Sequence, residues 1–160
     1  PVAEVAAPEG LLEVLGCAAL RVGRTAYDYL VEVPDASVVR GLRPDLARLA
    51  GLPVRGAIVT AVGGGDAAAG YDFVSRFFAP AAGVPEDPVS GNAHGMLGVY
   101  MLSNGLLTAT DGKVSFTGHQ GRFVDRPGTV EVEVTASGKR ATSVCVAGDA
   151  TIVYQAEIEL

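Results

Sequence analysis

Tryptophan is absent from this 160-residue chain, and five Phe and five Tyr are its only aromatic residues, so Val, Leu, Ile and Ala must fill whatever core it builds. Cysteine is nearly absent too. Cys17 and Cys145 each sit inside an apolar β-like run. Without a signal peptide ahead of them they read as buried, reduced thiols of a cytoplasmic protein, with no need of a disulfide. With His94 and His119 the only histidines and no cysteine near either, no metal site is expected. Basic runs are missing as well: the longest is Lys139-Arg140, and 12 basic against 18 acidic residues give a net charge of −6, which excludes a nucleic-acid binder. No apolar run escapes interruption long enough to span a bilayer, so no membrane partner is expected. The phosphate-binding P-loop, the Rossmann glycine fingerprint and the Gly-x-Ser-x-Gly elbow are all lacking. Charged residues make up only 19% against 49% apolar, which excludes general disorder. An initiator Met is also missing, and a chain that opens at Pro1 reads as trimmed or as part of something longer.

What is plentiful is glycine, 21 residues, with nine prolines, a composition of many turns between short strands. Leu11 to Leu20 reads as an apolar strand, Arg21 to Thr25 as a polar turn and Tyr27 to Val33 as a half-buried strand, together a hairpin. Ala36 to Gly41 and Pro44 to Gly51 have short helical spacing, with Pro44 in the first turn and Gly51 at the cap. Val54 to Val62 and Tyr71 to Ala79 are β-rich, separated by a loop at Gly63 to Asp66, and Pro80 to Ser90 reads as irregular. Gly91 to Asn104 is apolar around its whole circumference, the mark of a buried helix with no exposed face. Gly91, Gly95 and Gly98 there would let other backbone approach closely, and Gly105 stops the helix. Lys113 to Thr117, Thr129 to Thr135, Arg140 to Ala147 and Ala150 to Leu160 return to strands, of which Val130, Val132 and Val134 alternate cleanly with polar residues. Many strands around one buried helix is the resulting architecture.

The segment most able to carry chemistry is Pro85-Glu86-Asp87-Pro88-Val89-Ser90-Gly91-Asn92-Ala93-His94. A loop that enters a helix through glycine aims unpaired N–H groups and the positive end of the helix dipole at one spot, where an anion is favoured. An ordinary N-cap uses the same residue types, with Ser90 or Asn92 accepting an N–H and Asp87 complementing the dipole. That alternative stays open, although a cap needs one such residue and this loop supplies five polar ones. A second segment, Thr117-Gly118-His119-Gln120-Gly121-Arg122, is either a further part of the site or a polar turn. His94, one turn into an apolar helix, has the alternative reading of a core histidine.

These residues carry a resemblance. Tyr71-Asp72-Phe73-Val74-Ser75-Arg76-Phe77-Phe78-Ala79-Pro80, followed by Gly83-Val84 and the Pro85 to His94 segment, resembles the second-half signature of the phenazine-biosynthesis PhzF-like family. In that family it runs D-F-x-S-R-x-F-x-P, then G-x-x-E-D-P-V-T-G-S-A-H. Leu42-Arg43-Pro44-Asp45, Gly56 to Thr60, Gln120-Gly121 and Arg126-Pro127 fit the same order. The resemblance implies an α+β, diaminopimelate epimerase-like half: a strongly curved, mostly antiparallel sheet wrapped around a central buried helix. Residues 1–20 then form a boundary segment toward a missing N-terminal half, and 21–160 the C-terminal domain. It further implies a cofactor-independent isomerase or epimerase that moves a proton on a small carboxylated substrate in a cleft between two halves. In the phenazine branch a Glu and a His of the first half act with an Asp and a Ser of the second. By motif the Asp is Asp87, the catalytic candidate, while Asn92 stands where the family has Ser. Ser90, Gly91, Asn92, Gln120 and Gly121 are the substrate-binding candidates. The first half, with its own acid and base, has no counterpart in these residues, so this chain alone would be catalytically incomplete. The expected partners are the small carboxylated molecule and the other half of the protein or a second chain, with a homodimer as one form. A non-catalytic binding domain of the same fold is the competing reading.

Overall fold

The computed structural model describes residues 2–62 and 70–158. Its strands are β1 (Ala3–Glu4), β2 (Arg21–Arg24), β3 (Asp28–Glu32), β4 (Gly56–Val62), β5 (Phe73–Ala79), β6 (Val84–Asp87), β7 (Lys113–Gln120), β8 (Gly128–Ser137) and β9 (Arg140–Ala147). The α-helices are α1 (Leu11–Leu15), α2 (Ala36–Gly41), α3 (Leu46–Ala50) and α4 (Gly91–Ser103). One curved mixed sheet runs β1-β2-β3-β4-β5-β7-β8-β9, with the short β6 paired to β5. Only β3–β4 and β5–β7 are parallel, and their crossover connections carry α2 and α3 in the first and α4 in the second.

Alternation along β3 and β4 explains why the sheet has two apolar faces. Val31 and Val59 pack with Leu11, Leu15, Val39 and Leu49 under α1–α3. Their neighbours Leu30 and Ile58 point the other way, among Phe73, Phe77, Leu97, Tyr100 and Phe116 around α4. With both faces covered, every residue of β3 is buried, not half-buried as the sequence pattern implies. The outer strands β8 and β9 are covered on one face only, and Val130, Val132 and Val134 turn inward to α4 while Glu131 faces solvent.

Several expectations need correction. Leu11 to Leu15 is helical: Leu11, Val14 and Leu15 share one buried face at spacings of three and four, and Gly16 ends the turn at φ 70°. The hairpin is instead β2–β3, so Arg21–Arg24 is strand, and the turn is held by the Thr25 hydroxyl, which accepts from the N–H groups of Tyr27 and Asp28. Pro44 precedes the cap residue Asp45 and is not in the first turn. The Pro80–Ser90 stretch contains a 3-10 turn at Pro80–Ala82 and then β6, whose Pro85 is tolerated on a strand that pairs on one side alone. Strands β7 and β8 run further than predicted. Residues 150–158 form no strand, and Ile152, Val153, Tyr154 and Ile158 are exposed. Cys145 is exposed and Cys17 half-buried, because alternation on β9 turns the 145 side chain outward; both are free thiols. Leu11 and Val14 are buried in the chain's own core.

Helix α4 is largely buried, yet its first turn is open: Gly91 and Asn92 are exposed. Its glycines admit side chains, not backbone. A Cβ on Gly98 would lie 3.0 Å from both Phe116 and Val134. The loop expected at Gly63 to Asp66 lies outside the described residues. Among the described residues no helix is long and apolar enough to cross a membrane.

Candidate functional site

Strand β6 carries two adjacent carboxylates, and strand alternation sends them to opposite faces. Glu86 turns toward the α2 side, where its two oxygens accept from Arg76 Nε at 2.9 Å and Arg76 Nη2 at 2.7 Å. Arg76 is itself buried and donates from Nη1 to the carbonyls of Leu42 (2.9 Å) and Val39 (3.3 Å). Its guanidinium also stacks over Phe78 and Phe123. Every polar edge of the pair is therefore satisfied, and the pair pins β6 to β5 and to the end of α2. Asp87 is left for the α4 face.

That face is organised by Gln120, a buried amide at the end of β7. Its Nε2 donates to the Asp87 carbonyl at 2.6 Å, and its Oε1 accepts from the Ser90 N–H at 3.4 Å. The next residue, Gly121, has φ 87°, and a Cβ there would lie 2.4 Å from the Pro88 carbonyl oxygen. Only glycine lets the β7 corner press against the 87–90 loop. Ser90 caps α4, its hydroxyl accepting from the Ala93 N–H at 3.1 Å. The N–H groups of Gly91 and Asn92 have no acceptor among the described residues, and both residues face solvent. Asp87 also lies within electrostatic reach of Arg55, whose guanidinium is held by the buried Asp28 carboxylate. Asp28 first, and Asp87 more weakly, hold the Arg55 pKa above its ordinary value.

The six predicted residues thus meet as follows. Asp87, Ser90 and Gln120 are joined by direct hydrogen bonds, and Gly121 packs on the same loop. Gln120 and Gly121 border a cavity of about 320 Å³. Asn92 borders a different hollow, with Gly95, Met96 and Val144. Both readings of Ser90 hold at once: it is a cap, and it is part of the joined cluster.

His94 is fully buried behind this turn. Its Nδ1 donates to the Ser90 carbonyl at 2.8 Å, leaving Nε2 without a partner among the described residues. Gly118 lies flat against it, since a Cβ there would come within 2.5 Å of the imidazole. Burial lowers the His94 pKa, the Ser90 carbonyl opposes that, and nearby His119 lowers it further. His119 stacks on Tyr71 with centroids 4.3 Å apart, and burial followed by the Arg122 charge lowers its pKa. Both shifts favour the neutral imidazole near pH 7. Among the described residues no group of three or more potential ligands could hold a metal ion.

Residues 10–156 match the family of phenazine biosynthesis-like proteins, PhzC/PhzF. The chain belongs to this family. An uncharacterized isomerase of Pseudomonas aeruginosa is 40% identical over 155 residues, 97% of this chain and 52% of that protein. An uncharacterized isomerase of Deinococcus radiodurans is 40% identical over 74% of this chain and 38% of its own length. The chain spans about half the length of the curated relatives it matches or less. Among solved structures, a PhzF-family protein of Bacillus anthracis aligns with TM-score 0.76 at 22% identity, over 92% of this chain and 54% of its own. A predicted epimerase of P. aeruginosa aligns with TM-score 0.54 at 24% identity, over 96% and 56%. These likenesses show the fold, a curled PhzF-like, epimerase-like sheet around a helix.

Some residues around the site have no reading from sequence. Arg76 was legible as a member of the family signature but without a role, and its pairing with Glu86 depends on the short β6 that the prolines concealed. Glu32 is buried although charged; it accepts from the Tyr100 hydroxyl at 2.6 Å and from Arg21 at 3.0 Å, tying β3 to α4. Burial, then the Glu32 carboxylate, raises the Tyr100 pKa, so the phenol stays a donor.

Proposed function

We propose that this chain supplies one wall of a cofactor-independent isomerase site that moves a proton on a small carboxylated substrate. The observation that carries this reading is the Gln120 amide bridging Asp87 and Ser90, which fixes Asp87 beside an open helix N-terminus. The free N–H groups of Gly91 and Asn92, with the helix dipole behind them, suit the substrate carboxylate. Asp87 then hydrogen-bonds or relays a proton at the reacting centre, and the principal base comes from a first half of the protein or from a partner chain. Asn92, in place of the family Ser, keeps a donor and an acceptor but with a longer reach, which favours a substrate other than that of the phenazine branch. The curated relatives carry the name isomerase, in support of the class. Cytoplasmic localisation and pairing with a second half belong to the same proposal.

The test is Asp87→Ala in the full-length protein, followed by exchange of substrate hydrogen with solvent deuterium. A loss of about 10² to 10⁴ in rate with unchanged unfolding supports the role. Exchange at the wild-type rate refutes it and leaves the fold as a binding domain.

A further inference from the structure

His94 is a buried group that the proton-transfer reading leaves unused. It lies one turn into α4 at 0% exposure, its ring held between Gly118, where a Cβ would lie 2.7 Å from Nε2, and Phe73, at a centroid distance of 5.4 Å. Such a place suits a leucine. The imidazole instead brings in two nitrogens, of which Nε2 finds no partner among the described residues, and a buried polar atom left unpaired is costly. What the ring does with the other nitrogen is specific. Nδ1 donates to the Ser90 carbonyl at 2.8 Å, although that oxygen already accepts the helical bond from the His94 N–H at 3.1 Å. The carbonyl is thus paired without the side chain, so a need to satisfy it does not account for the second bond.

The consequence falls on the next residue, because the Ser90 carbonyl and the Gly91 N–H belong to one planar trans peptide unit and point in opposite directions. Two donors on the carbonyl fix the plane of that unit and draw electron density toward its oxygen, which leaves the N–H at the other edge more strongly polarised. Ser90 is held at its other polar groups as well, its N–H by Gln120 Oε1 at 3.4 Å and its hydroxyl by the Ala93 N–H at 3.1 Å. We propose that His94 is a positioning residue whose Nδ1–H aims and strengthens the Gly91 N–H at the open end of α4, which rests on the reading of that N–H as a donor to the substrate carboxylate. The neutral ring is the form required, since its single proton sits on Nδ1 and a second on Nε2 would have no acceptor among the described residues. The opposite tautomer would set a bare Nδ1 against the Ser90 oxygen at 2.8 Å, lone pair to lone pair.

No variant is needed for the first measurement. Long-range 1H–15N NMR spectra of the chain at pH 7.5 should show His94 with a proton on Nδ1 and none on Nε2; the reverse would overturn the proposal. Acetate is the ligand probe, followed through the backbone amides. Saturable shifts centred on Gly91 and Asn92 are expected in the wild type. His94→Leu should raise the acetate Kd by about fivefold, the size of one lost hydrogen bond, and move the Gly91 amide proton upfield. His94→Asn carries an N–H donor at the position of Nδ1 and should recover most of the affinity and of the shift. His94→Gln, whose amide reaches the Nε2 position instead, should bind as weakly as His94→Leu and serves in its place if that variant does not fold. A role in packing alone predicts the opposite order, because Leu fills an apolar pocket better than Asn. Affinity kept in His94→Leu and lost in His94→Asn would therefore overturn the proposal. A wild-type chain without acetate shifts at residues 91–92 would remove the carboxylate site itself and the part of His94 with it, whereas unchanged binding in His94→Leu and His94→Gln would remove the part of His94 alone.

Discussion

The two ends of the sheet solve the same covalent problem differently. Strands β3–β5 lie between α1–α3 on one face and α4 on the other, whereas β8 and β9 have α4 on one face and solvent on the other. Charged residues follow the difference. In the doubly covered region Asp28, Glu32 and Arg76 are buried, and each is held by a partner of opposite charge. In the singly covered region Lys113 meets Glu133 in the open, at 59% and 45% side-chain exposure. A charge in the first region specifies geometry, because moving it leaves an unpaired ion in an apolar setting; a charge in the second is mostly a solvated surface. The candidate site lies at the seam, with Glu86 anchored in the covered region and Asp87 turned away from it.

Breaking the anchor should produce the largest effect. Arg76→Ala leaves Glu86 buried without its cation and frees the Val39 and Leu42 carbonyls. A destabilisation of about 3–5 kcal/mol is expected, read as a lower urea midpoint at unchanged m-value. A loss under 1 kcal/mol would mean that the doubly covered region tolerates unpaired charge, and the comparison would fall.

How much of this was legible depended on range. The α4 helix, the β8 alternation and the convergence of the Asp87 and Gln120 segments follow from local pattern and motif. Leu11 to Leu15 was misread because five apolar-rich residues fit strand and helix alike, and only burial against α3 decides between them. Tyr27 to Val33 was given one wet face because alternation cannot reveal that α1–α3 cover the other. The cavity beside Gln120 and Gly121 was illegible for the same reason: it is formed by α2, β5 and the 119–123 corner, which are far apart in sequence.

A smaller effect is expected from pH, at the seam itself. The folded pKa of His94 is lowered, chiefly by burial, below its ordinary 6.5 in the unfolded chain. Above pH 6.5 both states are neutral there and the contribution to stability is complete. As pH falls below 6.5 the unfolded chain takes up a proton that the folded one refuses, so stability falls until the lowered folded value is passed. His119, also lowered, acts in the same direction. Urea midpoints measured from pH 7.5 to 5 should decline, and the decline should be shallower in His94→Gln. An equal slope in that variant would assign the pH dependence to other groups.

The smallest effect belongs to the open end of the sheet, and it is the control that gives the first prediction its meaning. Lys113 and Glu133 sit diagonally across β7 and β8, since Ser115 is the residue opposite Glu133. Their 2.9 Å contact is close to the 2.7 Å of Arg76 with Glu86. Distance alone would rank them as near equals. Water screens the exposed pair and side-chain entropy opposes its formation, so Lys113→Ala should change stability by no more than about 0.5 kcal/mol. At 1 M salt, where the screening length is about 3 Å, even that difference should vanish, while the Arg76→Ala loss should largely persist. If both losses shrank together with salt, burial would not be what separates the two regions, and the anchoring of Glu86 behind Asp87 would be an ordinary surface contact.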